Sequence, residues 1–593
     1  MNPIFQCPVC KIELNVDHSC KKCLKSFFNK DGFYDFIIDV EPKDESELEI
    51  SNLLHNIQSH GYSSAMTLFL KNTNTKLEEK FSIVEGDIAF RCINEKNLRC
   101  LVLSSEIGNI CENLSKIFEE VFSMECDKKK ILIQKIRFKK NEIKNIVLVR
   151  SDFLVLPFPK EYFDLVIFNG IKIKEDKIIK CFKEVKRVLK PSGCFCVGAL
   201  NKFRLQVPLG ESKKSIKKMY TDSYYGYHLI FKNLKFHVRS FWIFGSIRRP
   251  YFIGDMDDEL ILKWIFSNLG KILTINTKYK IFGWVLKKSN ITLSKILIKL
   301  FSPSFLFYCY KDNITSGFEK MIIEKTKFRN FLQQIRPRSI HFILFDVFGK
   351  PMKKFSCKRT NYNLNEDIIS INSSSKNNFS NTKMVMHDWV SGRPINVKNI
   401  DEVRLVIKWL TNFQTKTSTE FLNLEMIDNE LELVRNNLKK INEIENLPYQ
   451  KWMHDYRKYV SRMKIKKTAV HGDFGPHNII FNSNTSSITV IDWELFHEQG
   501  NPFFDITKFI FHILTPNATV NEFSKNIRKI KEIPSLVTIN ETLLDHFQNE
   551  LDIIILLRFF FLYDIALNET ANKTFSLRIL MELSKINQIS GSE

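Results

Sequence analysis

Short apolar runs alternate with longer segments of helical character between residues 100 and 200. The runs have the length of buried strands, and the segments between them are long enough for helices. The predicted strands are Leu101–Leu103, Val121–Glu125, Ile146–Val149, Tyr162–Ile167 and Cys194–Val197, and the predicted helices are Asn113–Glu120, a basic helix ending at Lys140, and Ile178–Leu189. This strand–helix alternation predicts an α/β domain with a doubly wound, Rossmann-like parallel sheet.

A different pattern follows beyond residue 300. Phe342–Asp346 and Met352–Lys358 flank a Gly-Lys-Pro turn and predict a β-hairpin, and Val403–Asn412 has the apolar spacing of an amphipathic helix. Further along, Thr468–Val470 and Ser487–Ile491 have the composition of short strands. This order predicts a separate α+β domain in the second half of the chain.

The most apolar stretch is Ile553–Leu567, which is interrupted by Arg558 and Asp564. It is shorter than the ~20 apolar residues that a membrane-spanning helix needs. We therefore predict a buried helix here and no transmembrane segment. The N-terminus lacks the apolar core of a signal peptide, so we expect a soluble, cytoplasmic protein.

The formal net charge of +22 is compatible with anionic partners. The basic residues are nevertheless spread along a chain that is rich in Lys, Ile, Asn and Phe throughout. No dense basic tail or patch stands out, so we do not predict nucleic-acid binding. The sequence does not specify an oligomeric state.

Four of the thirteen cysteines form two CxxC pairs, Cys7 with Cys10 and Cys20 with Cys23. Four thiolates at this spacing can close a tetrahedron around Zn²⁺ and hold together a segment too small for its own core. His18 is a competing ligand, and four reduced cysteines without metal are the alternative. Residues 1–40 resemble the zinc ribbons that precede some methyltransferase domains, which implies a structural zinc ion.

Residues 50–285 resemble class I S-adenosylmethionine-dependent methyltransferases. Glu184 followed by Val185–Gly193 matches the E-x-x-R-V-L-K-P-G-G helix and turn of that family. Ser151-Asp152 with Leu156–Phe158, and then Phe163–Val166, match its G-D-x-x-x-L-P-F and F-D-L-V passages.

The resemblance implies that Glu125 binds the ribose hydroxyls of S-adenosylmethionine and that Asp152 lies beside the adenine. The first strand–helix turn, which includes Gly108, would then face the cofactor. Glycines at such a turn let the backbone approach the ligand. This chain has Ser104 and Glu106 where the family has glycines, and a register beginning at Glu106 is the alternative alignment. The open question is whether the domain binds the cofactor or serves as a scaffold.

The most informative motif of the second half is His471–Asn478, followed by Val490–Glu494. It places Asp473, Asn478 and Asp492 on loops next to short strands. In kinase-type catalysis, one Asp positions and deprotonates the acceptor hydroxyl, while an Asn and a second Asp hold Mg²⁺ on the ATP phosphates. The alternative is a hairpin in which Asp and Asn merely form turns.

These residues resemble the C-terminal lobe of the aminoglycoside phosphotransferase and choline kinase superfamily, with its HGDxxxxN motif and I-D-W-E strand end. The likeness continues through Gly500–Asp505. It implies that Asp473 is the catalytic base, that Asn478 and Asp492 are Mg²⁺ ligands, and that Asp505 is a structural acid. The implied kinase-like domain covers residues 300–593.

Met384–Pro394 resembles the hinge of this family, which implies adenine contacts from the backbone of Met386 to Asp388. A strand lysine paired with a helix acid holds the ATP phosphates in kinase-like folds. Lys354 and Lys358 are the candidate lysines, of which Lys358 is the more natural strand end, and Glu366 is the candidate acid. The segment between these residues and the hinge is short, so we expect an abbreviated N-terminal lobe.

Together these features predict a bifunctional transferase of three domains. One half would transfer a methyl group from S-adenosylmethionine, and the other would transfer a phosphoryl group from Mg·ATP to a hydroxyl of a small molecule or glycan precursor. The alternatives are a single activity, or domains that bind a partner or substrate without turnover.

Overall fold

The computed structural model divides the chain into two compact units. The first unit is Met1–Ile371 with Thr382–Trp389, and the second is Asn372–Asn381 with Val390–Glu593. The described residues are 3–37, 48–72, 88, 99–171, 173–204, 219–245, 247, 250–259, 261–262, 264–265, 285, 288–312, 322–324, 328, 330–335, 339–348, 350–358, 369–371, 384–463, 465–516, 518–542, 550–567 and 573–586.

The first unit is organised by one large sheet. Its described strands are β1 (Tyr34–Asp35), β2 (Arg99–Leu103), β3 (Glu120–Glu125), β4 (Ile146–Arg150), β5 (Phe163–Asn169), β6 (Leu189–Asn201), β7 (Thr221–Asp222), β8 (His237–Gly245), β9 (Pro250–Asp255), β10 (Ser304–Tyr310), β11 (Asn330–Ile335), β12 (Ser339–Phe345), β13 (Pro351–Lys358), β14 (Ile369–Ile371) and β15 (Met384–Asp388). Their order is β1-β4-β3-β2-β5-β6-β10-β8-β9-β11-β12-β13-β15-β14, with β7 paired to β6.

The helices of this unit connect and cover the strands. They are α1 (Leu48–His60), α2 (Tyr62–Asn72), α3 (Asn109–Leu114), α4 (Lys128–Lys140), α5 (Ile178–Val188), α6 (Tyr224–Asn233) and α7 (Ile291–Phe301). From β1 to β6 all neighbours in the sheet are parallel. Residues of α3 and α4 pack in one core cluster and those of α5 in another. The predicted doubly wound, Rossmann-like sheet is therefore confirmed.

Two predicted element boundaries differ from the structure. The helix predicted over Asn113–Glu120 is α3, which begins directly after Gly108 and ends before a turn leading to β3. The left-handed backbone of Gly108, with φ of +90°, starts the helix earlier than the apolar pattern indicates. The last predicted strand is also longer, because β6 includes the Pro-Ser-Gly segment that reads as a turn in the sequence.

The predicted boundary at residue 300 also differs, because β10 lies in the first unit. β10 pairs antiparallel with β6 on one side and with β8 on the other, and every residue in it is buried. A strand that is buried on both faces lacks the alternation of polar and apolar residues, so its sequence does not indicate which strands it pairs with. Its neighbours β8 and β6 lie about 60 to 115 residues earlier in the chain, so only the fold assigns it.

The cysteine-rich segment is attached to the same sheet through β1, which pairs in parallel with β4 at the sheet edge. Arg150 reinforces this edge with an ion pair to Asp35 at 3.0 Å and a hydrogen bond to the carbonyl of Cys126. Phe5 is buried against Phe158 of the methyltransferase-like part. The segment therefore shares a core with the sheet.

The far end of the sheet contains the strands that the sequence assigns to the small kinase-like lobe. β11, β12, β13 and β15 are successive antiparallel neighbours, and β14 pairs in parallel with β15. The predicted hairpin of β12 and β13 is confirmed. It belongs to the first unit together with the hinge residues up to Trp389.

The second unit is mainly helical, with one three-stranded and one two-stranded sheet among its described elements. Its described elements are β16 (Arg393–Pro394), α8 (Ile400–Thr417), α9 (Leu424–Leu438), α10 (Tyr449–Ser461), β17 (Thr468–Val470), β18 (Ile479–Asn482), β19 (Ser487–Val490), β20 (His497–Gly500), α11 (Phe503–Leu514), α12 (Val520–Ile527), α13 (Pro534–Thr542), α14 (Glu550–Leu567) and α15 (Lys573–Lys585). β18 pairs with β19 and β16, and β17 pairs with β20.

The buried helix predicted at Ile553–Leu567 is confirmed as α14. Ile553, Leu557 and Leu562 lie in the core of the second unit. Arg558 is also buried, lies over the ring of Trp452 and donates from Nη2 to the carbonyl of Leu583 at 2.8 Å. Within the described part of the chain, no helix has both the length and the apolar character needed to cross a membrane.

Candidate active site

The loop that follows β17 is held in place by a buried carboxylate on α11. The backbone amides of His471 and Gly472 donate to the two oxygens of Asp505 at 2.7 and 3.0 Å. Asp505 is buried, and burial raises its pKa to about 6, although the two amide hydrogen bonds act in the opposite direction. Asp505 therefore anchors the start of the loop that carries Asp473.

Gly472 meets a steric requirement at the turn. Its φ is +80°, and a Cβ at this position would lie 2.2 Å from the carbonyl oxygen of Leu495. The adjacent His471 is fully buried, and burial lowers its pKa. Its Nδ1 accepts from the amide of Asp473 and its Nε2 lies 2.9 Å from the carbonyl of Ile491. Neutral His471, with its proton on Nε2, thus links the Asp473 loop to the hairpin that leads to Asp492.

Three side chains surround the carboxylate of Asp473. Asn478 donates from Nδ2 to Oδ2 at 3.0 Å, and His477 Nε2 lies 3.5 Å from the same oxygen. Lys508 Nζ lies 2.6 Å from Oδ1. Burial by itself would raise the pKa of Asp473, but the hydrogen bond from His477 and the charge of Lys508 lower it below its usual range. Asp473 is therefore ionised at neutral pH.

The candidate Mg²⁺ ligands lie at the two ends of the β18–β19 hairpin. Asn478 is buried and directly precedes β18, whereas Asp492 follows β19 with a left-handed backbone at φ +68°. The amide of Ile491 donates to the carbonyl of Asn478 at 2.9 Å, which keeps the two ends together. An amide oxygen and a carboxylate are suitable ligands for Mg²⁺.

Sequence reasoning named Asp505 on α11 but missed Lys508 and His512 on the same helix. Asp505, Lys508 and His512 are three and four positions apart, so they occupy one face of the helix. Lys508 reaches Asp473, and the His512 ring lies 5.5 Å from the ring of His477. This spacing of polar residues inside an otherwise apolar helix was the available signal.

The candidate ATP-binding residues lie in the first unit. Met386 pairs with Phe355 on one edge of β15 and with Ser370 on the other, so strands flank its backbone on both sides. Asp388 lies beyond the last residue paired to β14, and its side chain is exposed. Lys353 Nζ lies 3.8 Å from the Asp388 carboxylate.

The candidate phosphate-binding lysines lie on the neighbouring strand. Lys354 lies within β13, opposite His387, and Lys358 ends that strand, opposite Ser339. The side chain of Lys358 lies outside what the structure describes, as does the whole of Glu366. The lysine–acid pair therefore stays a prediction.

The first strand–helix turn of the methyltransferase-like part has left-handed backbone at three positions, of which only Gly108 is a glycine. Ser104, Glu106 and Gly108 have φ values of 55°, 52° and 90°. The left-handed region costs an L-residue roughly 1–2 kcal/mol. Buried side chains hold the turn, since Gln134 donates to the carbonyl of Glu106 at 2.6 Å and to Ser105 Oγ at 3.0 Å.

Glu125 ends β3 beside this turn, as the resemblance requires, but it is only 2% exposed. Its Oε2 accepts from the amide of Glu106 at 3.0 Å and its Oε1 from the amide of Cys126 at 2.9 Å. The Glu106 side chain forms an ion pair with Lys130 at 2.7 Å. A carboxylate beside a turn of amides suits a ribose, but both oxygens of Glu125 already accept backbone hydrogen bonds within this turn.

Other residues of the methyltransferase motifs have structural contacts. Asp152 is exposed and accepts from the amide of Leu154 at 3.0 Å. Arg187 donates to the carbonyls of Phe158 and Leu156 and forms an ion pair with Glu184. The E-x-x-R part of the motif therefore fixes the Leu-Pro-Phe loop.

The four cysteines of the N-terminal segment meet at one point. Their sulfur atoms all lie within 4.8 Å of one another, and the sulfurs of Cys7 and Cys23 are 3.7 Å apart. Tetrahedral zinc with Zn–S distances of ~2.3 Å requires sulfurs about 3.8 Å apart. The amides of Cys10 and Cys23 point at the sulfurs of Cys7 and Cys20 at 3.4 and 3.5 Å. The geometry thus fits one zinc ion.

His18 is not needed for this cluster. Its Nε2 lies 3.2 Å from the hydroxyl of Tyr34, and its ring packs against Phe28 and Tyr34. The histidine is thus part of the aromatic core beneath the cysteines.

Comparison with known proteins supports both halves of this assignment. Residues 102–197 match a methyltransferase domain family, and residues 418–526 match the phosphotransferase enzyme family. A curated relative, the ubiquinone/menaquinone biosynthesis C-methyltransferase UbiE of Wigglesworthia glossinidia brevipalpis, is 30% identical over 158 residues. That alignment covers 23% of this chain and 60% of the length of the relative.

Two solved structures are among those with similarity to the chain. The YcgJ protein of Bacillus subtilis has 13% identity and a TM-score of 0.25, covering 39% of this chain and 99% of its own. A SAM-dependent methyltransferase of Aquifex aeolicus has 18% identity and a TM-score of 0.24, covering 30% and 93%. The strand order described above, rather than these scores, defines the fold. The chain thus joins a methyltransferase domain and a phosphotransferase-family domain in one polypeptide, which is the composition of a transferase.

Proposed function

We propose that the second unit transfers a phosphoryl group from Mg·ATP to a hydroxyl group of a small molecule or glycan precursor. The arrangement around Asp473 carries this proposal. An ionised, partly exposed carboxylate stands on a rigid loop, and an amide and a second acid follow at the ends of the next hairpin. Phosphoryl transfer requires this kind of positioning more than covalent chemistry by the protein.

Each residue of the site has a defined role in this proposal. Asp473 orients the acceptor hydroxyl and receives its proton, while Asn478 and Asp492 would hold Mg²⁺, whose charge would offset that of the phosphates. The acceptor oxygen forms its bond to the transferred phosphorus as the bond from that phosphorus to the departing ADP breaks. Asp505 keeps the loop in position through its two amide hydrogen bonds.

Nucleotide binding by the small lobe is also part of the proposal. Asp388 and the residues beside it would contact adenine, because the pairing of β15 with β14 stops before Asp388. Lys354 or Lys358 would contact the phosphates.

The proposal is tested by the Asp473→Asn variant. The substitution keeps the size of the side chain but removes the base and the charge that holds Lys508. We expect ATP turnover in the presence of acceptor candidates to fall at least a hundredfold, while binding of Mg·ATP by calorimetry persists. Asp428→Asn, which alters an exposed pair with Arg457, is the control. Equal turnover in wild type and Asp473→Asn would reject the assignment.

For the first unit we propose S-adenosylmethionine-dependent methyl transfer, with Glu125, Asp152 and the turn at Gly108 as the cofactor site. When bound, the cofactor supplies the methyl group. The near-complete burial of Glu125 beneath Glu106 favours the alternative, in which this domain serves as a scaffold. Calorimetry with S-adenosylmethionine decides between the two, because a scaffold would show no saturable binding.

We further propose that Cys7, Cys10, Cys20 and Cys23 hold a structural zinc ion. Reduced cysteines, four of them placed for metal, fit a cytoplasmic protein. The zinc would stabilise the segment that supplies β1 to the sheet edge. Its content is measurable as one zinc per chain.

A further inference from the structure

The acceptor side of the Asp473 carboxylate is lined by basic side chains. Lys508 Nζ lies 2.6 Å from Oδ1, and His477 and His512 lie beside it, with their rings 5.5 Å apart. Burial, with the neighbouring charges of His477 and Lys508, lowers the pKa of His512 to about 4, so at pH 7 His512 is a neutral hydrogen-bonding group. The proposed mechanism assigns no role to these three groups.

The two oxygens of Asp473 are not equivalent. Oδ2 accepts from Asn478, the candidate metal ligand, and faces His477 as well. Only Oδ1 is held by Lys508. An acceptor hydroxyl that donates to Asp473 must therefore approach Oδ1 and either displace Lys508 or lie directly beside it.

Displacing Lys508 leaves a positive charge in a partly buried position. The side chain of Lys508 is 22% exposed, so water replaces the lost carboxylate only in part. A negative group on the acceptor would restore a partner to the ammonium. An ammonium group on the acceptor would instead be repelled by Lys508 at short range.

We propose that Lys508, together with His477 and His512, binds an anionic group of the acceptor, so that the acceptor is a hydroxyl compound bearing a phosphate or carboxylate and not a cationic amine. The identification of the bound molecule as the phosphoryl acceptor rests on the proposed phosphoryl transfer. Anion binding itself depends only on side chains of α11 and the Asp473 loop, so it is measurable without turnover.

The experiment uses the full-length chain with Mg²⁺, in the presence and absence of a non-hydrolysable ATP analogue. Isothermal titration calorimetry follows glycerol 3-phosphate, glycerate, glycerol and choline as probes. The first two separate phosphate from carboxylate recognition, glycerol is the neutral reference, and choline is the cationic one. The variants are Lys508→Met, Lys508→Arg and, as a control, Lys529→Met, whose lysine pairs with Glu532 on an exposed surface.

We expect saturable binding of at least one anionic probe, at least tenfold tighter than glycerol or choline. Lys508→Met should weaken it tenfold or more, because the ammonium group that pairs with Oδ1 is lost. Lys508→Arg should retain most of the affinity, and Lys529→Met all of it. Retention in Lys508→Arg also shows that loss in Lys508→Met is a charge effect and not misfolding.

Three results would overturn the inference: no saturable anion binding by the wild type, equal anion affinity in Lys508→Met, or tighter binding of choline than of either anion. Failure of the ATP analogue to bind the wild type would instead count against the proposed phosphoryl transfer. Because the anion titrations are repeated without the analogue, the two failures are distinguishable.

Discussion

Replacing Glu106 by glycine tests whether the first strand–helix turn of the methyltransferase-like domain hinders binding of the cofactor at Glu125. Glu106 lies in the left-handed region at φ 52° and covers Glu125 through its backbone amide. Its carboxylate forms a half-buried ion pair with Lys130 at 2.7 Å. A cofactor ribose that binds Glu125 would lie beside this residue. Glycine keeps the backbone amide that donates to Glu125, removes the side chain with its ion pair to Lys130, and accepts the same backbone conformation.

The expected change in stability is small because two terms oppose each other. Relief of the left-handed backbone contributes about 1 kcal/mol, part of which is offset by the greater freedom of glycine in the unfolded chain. Loss of the partly buried ion pair with Lys130 costs about 1 kcal/mol. The free energy of unfolding of Glu106→Gly should therefore stay within about 1 kcal/mol of the wild type.

The expected change in cofactor affinity is larger. We expect the ion pair with Lys130 to hold the turn in its closed position, and its cost of about 1 kcal/mol to disappear in Glu106→Gly. Affinity for S-adenosylmethionine and S-adenosylhomocysteine should rise about fivefold. Calorimetry measures it directly, without any methyl acceptor.

Glu142→Gly is the matched control, since Glu142 is an exposed residue with φ 54° in the turn that follows α4. Like Glu106→Gly, it removes the cost of a left-handed backbone at a non-glycine residue, but it should leave the affinity for the cofactor unchanged. If Glu106→Gly binds the cofactor no better than the wild type, then Glu106 does not close the site. If neither protein binds it, the scaffold alternative holds.

Two further results are expected at the other sites. Because burial raises the pKa of Asp505 to about 6, lowering the pH through 6 should protonate it, weaken its hold on the amides of His471 and Gly472, and reduce phosphoryl transfer. Stability should change in the opposite sense: this group's contribution is fully present below its unfolded pKa near 3.9 and is lost, by roughly 2–3 kcal/mol, as the pH rises through about 6. Asp505→Asn should abolish both dependences, and a profile that is unchanged in the variant would assign them to another group. Cys20→Ser should lower bound zinc from one per chain to near zero and should also lower the melting temperature. The control Cys126→Ser, which lies outside the cluster, should retain the metal. Full zinc content in Cys20→Ser would contradict the four-cysteine site.

The four-cysteine cluster and the Asp473 loop are local, and the sequence predicts them well. Each CxxC pair places its sulfurs together through a single turn, so spacing alone indicates the cluster. In the Asp473 loop, the glycine, the acid and the asparagine lie within a few residues of one another. Their relative positions depend on one loop and one hairpin, which the motif itself specifies.

The strands from β2 to β5 were also predictable, because consecutive βαβ units place sequential strands side by side. β10 was not, although it is strongly apolar. It enters the sheet between β6 and β8, and no local pattern identifies partners so distant in sequence. The position of β10 in the sheet therefore depends on its tertiary pairing with β6 and β8.

The sequence by itself determined the chemistry present in this chain: four thiolates, a methyltransferase domain and a phosphotransferase motif. Only the tertiary structure decided how accessible and how charged these groups are. It placed the backbone amide of Glu106 against Glu125, in a turn that keeps left-handed backbone at Ser104 and Glu106 although neither is a glycine. It also placed Lys508 against Asp473 from another helix. Burial and pairing between distant segments depend on packing, which no short motif encodes.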